Sequence, residues 1–166
     1  LSDLMFYVTD GSTFTLSGFT FEKFQGARMF GDRCFVSNFL TYDDYYARTG
    51  DEYVSVTVAD CVLDAMFAER GMIQLFGDLT LSKTVFQNSY QEEGLLNGSR
   101  QNFIWVENGP LTMDQVDMTD VSGELVKVHI YAIDSDLTVT SSSFVRNSSF
   151  YFTMAQNEKI ATAFFD

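Results

Sequence analysis

Basic residues are scarce in this chain, ten against 23 acidic ones, and the formal charge is −13. Such a surface cannot replace the counterions of a nucleic acid unless its few cations cluster, and Arg28, Arg33, Arg48, Arg70, Arg100 and Arg146 are scattered. No nucleic-acid partner is expected. Long apolar runs are missing too: nothing approaches the roughly 20 residues that cross a bilayer, and the first residues lack the basic-then-apolar order of a signal peptide. No membrane span is expected either. Cysteine is limited to Cys34 and Cys61 and histidine to His129, so no Cys-x-x-Cys pair or Cys/His cluster can ligate a metal. His129 lies in the alternating stretch Val128-His129-Ile130-Tyr131, with no nucleophile or orienting acid marked by the sequence, and reads as a structural or surface residue.

Apolar residues, by contrast, are plentiful: 46% of 166 residues, with 17 Phe and 8 Tyr. That suffices for one domain with a sizeable core and excludes a disordered tail. We expect residues 1–166 to form a single domain. The chain opens on Leu1 rather than Met, so the expectation is a segment of a longer chain or a processed protein.

A repeat runs along the sequence. Leu75 to Phe86 lies on Met29 to Leu40, both reading as an apolar pair, a Gly-Asp turn and a strand. With Leu81 as anchor, a second apolar residue follows five positions later in six copies: Leu16 with Phe21, Phe35 with Leu40, Val58 with Leu63, Leu81 with Phe86, Met113 with Met118, and Val139 with Phe144. The residue before the anchor is Thr15, Cys34, Thr57, Thr80, Thr112 or Thr138, and a partial seventh copy begins with Ala163 as anchor. Local periodicity is two, with Leu79 and Leu81 inward and Thr80 and Ser82 outward, so these are strands. A second apolar strand recurs between copies at Met72 to Phe76, Phe103 to Val106, Val128 to Ile133 and Phe150 to Met154, bounded by Gly77-Asp78, Asn108-Gly109-Pro110 and Asp134-Ser135-Asp136.

Short strands with one inward stripe and a spacing near 23 predict an all-β parallel solenoid whose rungs stack at about 4.8 Å. On the strand and turn of Leu79 to Asn88, of Leu137 to Asn147 and their weaker copies from Phe14 onward, the sequence resembles the right-handed parallel β-helix superfamily, which holds pectate-lyase-like enzymes and many surface adhesins. Six copies and a partial seventh predict six to seven rungs. The alternative is an antiparallel β-sandwich or jelly roll, which has no reason to repeat the offset of five or the Thr position.

In the pectate-lyase-like enzymes the resemblance implies clustered Asp with a basic residue, and in the related hydrolases Asp with a Gly-His-Gly segment. Here His129 is flanked by Val128 and Ile130, and no catalytic residue is assigned. Cys34 and Cys61 fall in adjacent rungs of the frame but four positions apart, about 13 Å at strand rise and beyond the roughly 7 Å limit for bridging, so both are expected to be reduced packing residues. Asp114, Asp117 and Asp120 are spaced by three, which scatters them on a strand. With Asp134 and Asp136 they could meet across rungs and hold calcium; otherwise they form an acidic solvent face, and no cofactor is expected. Two insertions, 41–52 with Tyr42, Tyr45 and Tyr46 among acids, and 91–100, are candidate glycan- or protein-binding loops.

Asn97-Gly98-Ser99 and Asn147-Ser148-Ser149 match the N-glycosylation triplet and fall at predicted turns, which makes Asn97 and Asn147 candidate acceptors in a secreted protein. Neither end reads as a cap. Leu4, Phe6 and Val8 at one end and Phe164 and Phe165 at the other are the expected assembly residues, meeting a second copy head to tail in a filament or the flanking rungs of a longer chain. Counting from Ala163 through the end and back to Leu16 gives a spacing of 19, equal to that from Leu16 to Phe35. The expected role is a non-enzymatic extracellular or cell-surface structural or adhesive solenoid. The alternatives are a carbohydrate-active β-helix enzyme, lyase or hydrolase, and a glycan- or protein-binding module.

Overall fold

The computed structural model describes residues 4–23, 34–38, 53–68, 71–91, 103–123, 129–147, 151–155 and 163–165. These residues form strands and no helix, and they pair in parallel throughout. Four ladders result. The first carries β1 (Leu4–Tyr7), β4 (Cys34–Ser37), the front of β8 (Gly71–Ser82), β11 (Ile104–Glu107), β15 (His129–Ile133) and β18 (Tyr151–Ala155). The second carries β2 (Thr13–Ser17), β5 (Val54–Ala59), the rear of β8, β12 (Leu111–Asp114), β16 (Leu137–Thr140) and β19 (Ala163–Phe165). The third is β3 (Thr20–Glu22), β6 (Val62–Asp64), β9 (Val85–Gln87), β13 (Asp117–Thr119) and β17 (Ser143–Val145), and the short fourth is β7 (Phe67–Ala68), β10 (Tyr90–Gln91) and β14 (Ser122–Gly123). The chain visits the ladders in the same order on each pass. The antiparallel sandwich considered from the sequence is therefore overturned, because an antiparallel sheet cannot be built from these pairings.

The predicted columns form in register. In the second ladder Leu16, Val58, Leu81, Met113 and Val139 are aligned neighbours and all are buried. Beside them Thr15, Thr57, Thr80, Thr112 and Thr138 align on the outward face, where β-branched side chains pack along the ladder. The third ladder aligns Phe21, Leu63, Phe86, Met118 and Phe144.

Two anchors of the sequence frame fail. Phe35 belongs to the first ladder, where β4 pairs Cys34 with Gly71 and Val36 with Ile73, so Met29 to Leu40 is not a copy of Leu75 to Phe86. One pass, not two, separates Leu16 from Val58. Leu40 lies outside the described residues. At the other end Val139 pairs with Phe165 and Leu137 with Ala163, so Phe165 is the anchor. A strand alternates its faces, and a slip of two keeps an apolar residue in place, which is why Ala163 imitated the anchor.

Gly77-Asp78 is not a turn but a bend within β8, which serves both of the first two ladders. Gly77 holds φ 134°, and a Cβ there would run into the backbone of Val54; one on Gly109 would run into Gly77. Three backbones thus meet at this bend, which only glycine allows. The first ladder is buried on both faces: Val36 and Ser37, Ile73 and Gln74, and Ile104 and Trp105 are all covered. That explains its near-continuous apolar runs.

The offset of five has a backbone cause. Gly18, Asp60, Lys83, Gln115 and Ser141 turn the second ladder into the third, and Lys23, Ala65, Asn88, Asp120 and Arg146, each five residues on, turn out of it. All ten have positive φ, 46–57° at the non-glycine positions. Their N–H groups keep the ladder unbroken: Asp60 donates to Ser82 at 3.0 Å, Lys83 to Asp114 at 2.9 Å, Gln115 to Thr140 at 3.1 Å, and Asn88 to Thr119 at 3.1 Å. A left-handed residue costs about 1–2 kcal/mol, and continuous pairing across the corner offsets it.

Candidate functional site

The residue directly after the corner is buried at Cys61, Thr84 and Val116 and half-buried at Ser142 in the first corner, and buried at Met66, Ser89 and Val121 and half-buried at Asn147 in the second, whereas Phe19 after Gly18 is exposed. Polar members of this slot latch one pass to the next. The Thr84 hydroxyl bonds the carbonyls of Ser82 at 3.0 Å and Val58 at 3.1 Å. Ser142 donates to Thr140 at 2.8 Å and accepts from the Val116 N–H at 3.1 Å. Ser89 does the same with Gln87 at 2.9 Å and the Met66 N–H at 3.3 Å. Cys61 fills the slot with a thiol, donating to Ala59 at 3.2 Å and Leu16 at 3.7 Å. Asn147 uses both ends of its amide, accepting from the Val121 N–H at 2.9 Å and donating to the Met118 carbonyl at 3.0 Å. Sequence reasoning missed this latch, although its fixed place, two residues before each member of the Phe86 column at the first corner, was a usable signal.

Polar groups on the outside are joined in the same direction. Asn88 Nδ2 donates to Asp64 at 2.8 Å and, with lesser contributions from neighbouring donors and the Lys23 charge, holds that carboxyl below the usual Asp range. Arg146 grips Asp120 with two bonds of 2.8 and 2.7 Å, lowering the carboxyl and raising the guanidinium. Thr140 donates to Asp114 at 2.7 Å. The Tyr53 hydroxyl donates to Asp78, and partial burial followed by that carboxylate pushes the phenol up to about 12.

The acids singled out from sequence do not converge. Asp114 ends β12, Asp117 opens β13, Asp120 is a left-handed corner, and Asp134 and Asp136 flank the bend between the first two ladders. Among the described residues no group of three or more His, Cys, Asp or Glu could hold a metal ion, so the calcium arrangement is not assembled there. His129 aligns with Tyr151 in the first ladder. Cys34 and Cys61 are both buried, their thiols donating to backbone carbonyls, though Cys34 sits in the first ladder rather than in the frame position assumed for it. The loop 41–52, residues 92–100 and with them Asn97 lie outside the described residues.

Of the assembly residues, Val8 is buried and Phe6 is half-buried, in ring contact with Phe14 at 5.3 Å, Phe35 at 5.4 Å and Phe21 at 6.1 Å. Leu4 opens β1 opposite Cys34, and Phe164 and Phe165 align with Thr138 and Val139. With Phe165 as anchor, joining the last residue to the first spaces the anchors by 17, against 23 from Val58 to Leu81 in the tightest observed pass. Both terms of the arithmetic of 19 thus change, since Phe165 replaces Ala163 as anchor and Phe35 is not an anchor of this ladder. Among the described residues no helix is long and apolar enough to cross a membrane.

The chain matches no protein-family model, no curated protein and no solved structure.

Proposed function

We propose that the chain is a non-enzymatic extracellular or cell-surface structural or adhesive module, a right-handed parallel β-helix of six to seven turns. Its terminal strands are continued by strands of the same kind, from a second copy stacked edge on edge or from flanking turns of a longer chain. One observation carries this reading. Leu63, Phe86 and Met118 in the middle of the third-ladder column are fully buried, whereas Phe21 and Phe144 at its two ends are half-buried. Among the described residues β3 and β17 also pair on one edge only. An apolar column that is half-covered at each end is stabilised by one more parallel strand.

The corner latches, the outer Arg146–Asp120 ion pair and the outer hydrogen bonds to Asp64 and Asp114 support a scaffold role, since they are spent within the stack. Glycans in a secreted protein are proposed at Asn97 and Asn147 and are read as a mass loss on enzymatic deglycosylation.

The test is the size of the natural material under mild conditions, with negative-stain imaging. Filaments or a larger chain are expected, and a monodisperse 18.8 kDa monomer with intact strand content would sink the continuation. Turnover of any member of a panel of acidic and neutral polysaccharides would overturn the non-enzymatic reading in favour of a lyase or hydrolase.

A further inference from the structure

We infer that a glycan on Asn147 and the closed form of its corner exclude one another, so that the triplet Asn147-Ser148-Ser149 accepts a glycan only before this pass of the chain docks. The inference stands independently of the function proposed above. Both heteroatoms of the Asn147 amide face the preceding pass: Oδ1 takes the Val121 N–H at 2.9 Å, and Nδ2 gives a hydrogen to the Met118 carbonyl at 3.0 Å. An amide that engages two groups side by side donates the hydrogen lying on the same side as its oxygen. A glycan joined to Nδ2 in the ordinary trans amide takes that same place, because trans geometry sets the new substituent beside the oxygen and opposite Cβ. The sugar would then point at the carbonyl of Met118, a fully buried residue.

Two escapes exist, and both open the corner or strain it. A cis amide moves the sugar outward against the strong trans preference of secondary amides. Rotation of the whole side chain takes the acceptor away from the N–H of Val121, which is also fully buried. Ser89 performs the same latch at the same corner two passes earlier with a hydroxyl, so the slot accepts a polar group reaching inward.

The experiment uses the full chain secreted from a eukaryotic host, both unaltered and as Ser149→Thr, which strengthens the triplet and leaves Asn147, Val121 and Met118 unsubstituted. Limited proteolysis separates resistant from sensitive molecules, and peptide mapping reads Asn147 occupancy in each. The expected result is occupancy about tenfold or more lower in the resistant fraction, the factor set by loss of a buried hydrogen bond. Equal occupancy in the two fractions overturns the inference. Denaturant titration of Asn147→Asp, which keeps the acceptor and loses the donor, adds an independent reading: a lowered midpoint supports the latch, and a midpoint equal to the parent's overturns it.

Discussion

Where β4 ends at Ser37, the side chain of Asn38 takes over its hydrogen bonding. Oδ1 accepts the Phe76 N–H at 3.0 Å and Nδ2 donates to the Phe76 carbonyl at 3.1 Å, so one buried amide serves both backbone groups of β8 where the chain leaves the ladder. Asn38→Ala removes both bonds, and the expected loss is about 2–5 kcal/mol in denaturant unfolding; a change within about 0.5 kcal/mol would show that the mimicry contributes nothing. Cys61 presents the opposite case. Its thiol stands in the slot where Thr84 places a stronger hydroxyl donor in the next pass, so Cys61→Thr should unfold at an equal or higher denaturant concentration, and a loss above about 1 kcal/mol would refute equivalence of the slots. Outer carboxyls add a pH dependence. Asp64 and Asp120 titrate lower folded than unfolded, held by Asn88 and Arg146 respectively. Their stabilisation is therefore fully present above the ordinary Asp value near about pH 4 and is lost as pH falls through the lowered folded values. Unfolding midpoints of Asn88→Ala and Arg146→Ala should differ from the parent's more at pH 7 than in acid below the lowered Asp values, and salt should shrink the Arg146 difference because that pair is exposed.

At the scale of the elements, the corners decide the fold and are hardest to see in the sequence. Ala65 holds φ 52° with no side-chain polar group to stabilise a left-handed backbone, so Ala65→Gly should raise stability by about 0.5–1 kcal/mol, the relief of strain exceeding the entropy of the freer unfolded chain. Gly77→Ala should do the reverse, costing about 1–3 kcal/mol from backbone strain alone before the clash with Val54 is counted. Equal stability of these two variants and the parent by calorimetry would refute the corner account. The strands were legible because alternation survives substitution: any apolar residue serves at Leu81 or Met113, and Thr recurs at the outward place. The offset of five was legible as a number but not as a corner, since Asp60, Lys83, Gln115 and Ser141 carry no shared chemistry and only Gly18 and Asn88 advertise a left-handed turn. Phe35 misled for a related reason, because a strand of the first ladder, apolar on both faces, offers an apparent anchor in any register. The latch of Thr84, Ser89, Ser142 and Asn147 alternates with Val116 and Val121, and a slot that accepts both hydroxyl and methyl leaves no composition signal.

Across the whole molecule, one column offers the same side chain at three heights. Phe21 lies in the first aligned position, Phe86 in the third and Phe144 in the fifth, and the middle ring alone is fully covered. Removing buried aromatic area costs both transfer energy and a cavity, about 3–5 kcal/mol for Phe→Ala in a closed core, whereas a ring that keeps part of its surface in water loses less of each. In the isolated chain, Phe86→Ala should therefore cost about 3–5 kcal/mol and Phe21→Ala and Phe144→Ala about 1–2 kcal/mol each. Stacked solenoids make this profile diagnostic, because each position is stabilised by its nearest neighbours and a terminal position has only one. Continuation by further strands supplies the missing neighbour. The three substitutions should then converge toward the central value when measured in the natural assembled material by thermal or denaturant unfolding. If the end substitutions stay cheap there while the central one stays costly, the column ends remain open in the assembly, and the continuation proposed for this chain is wrong whatever its size in solution.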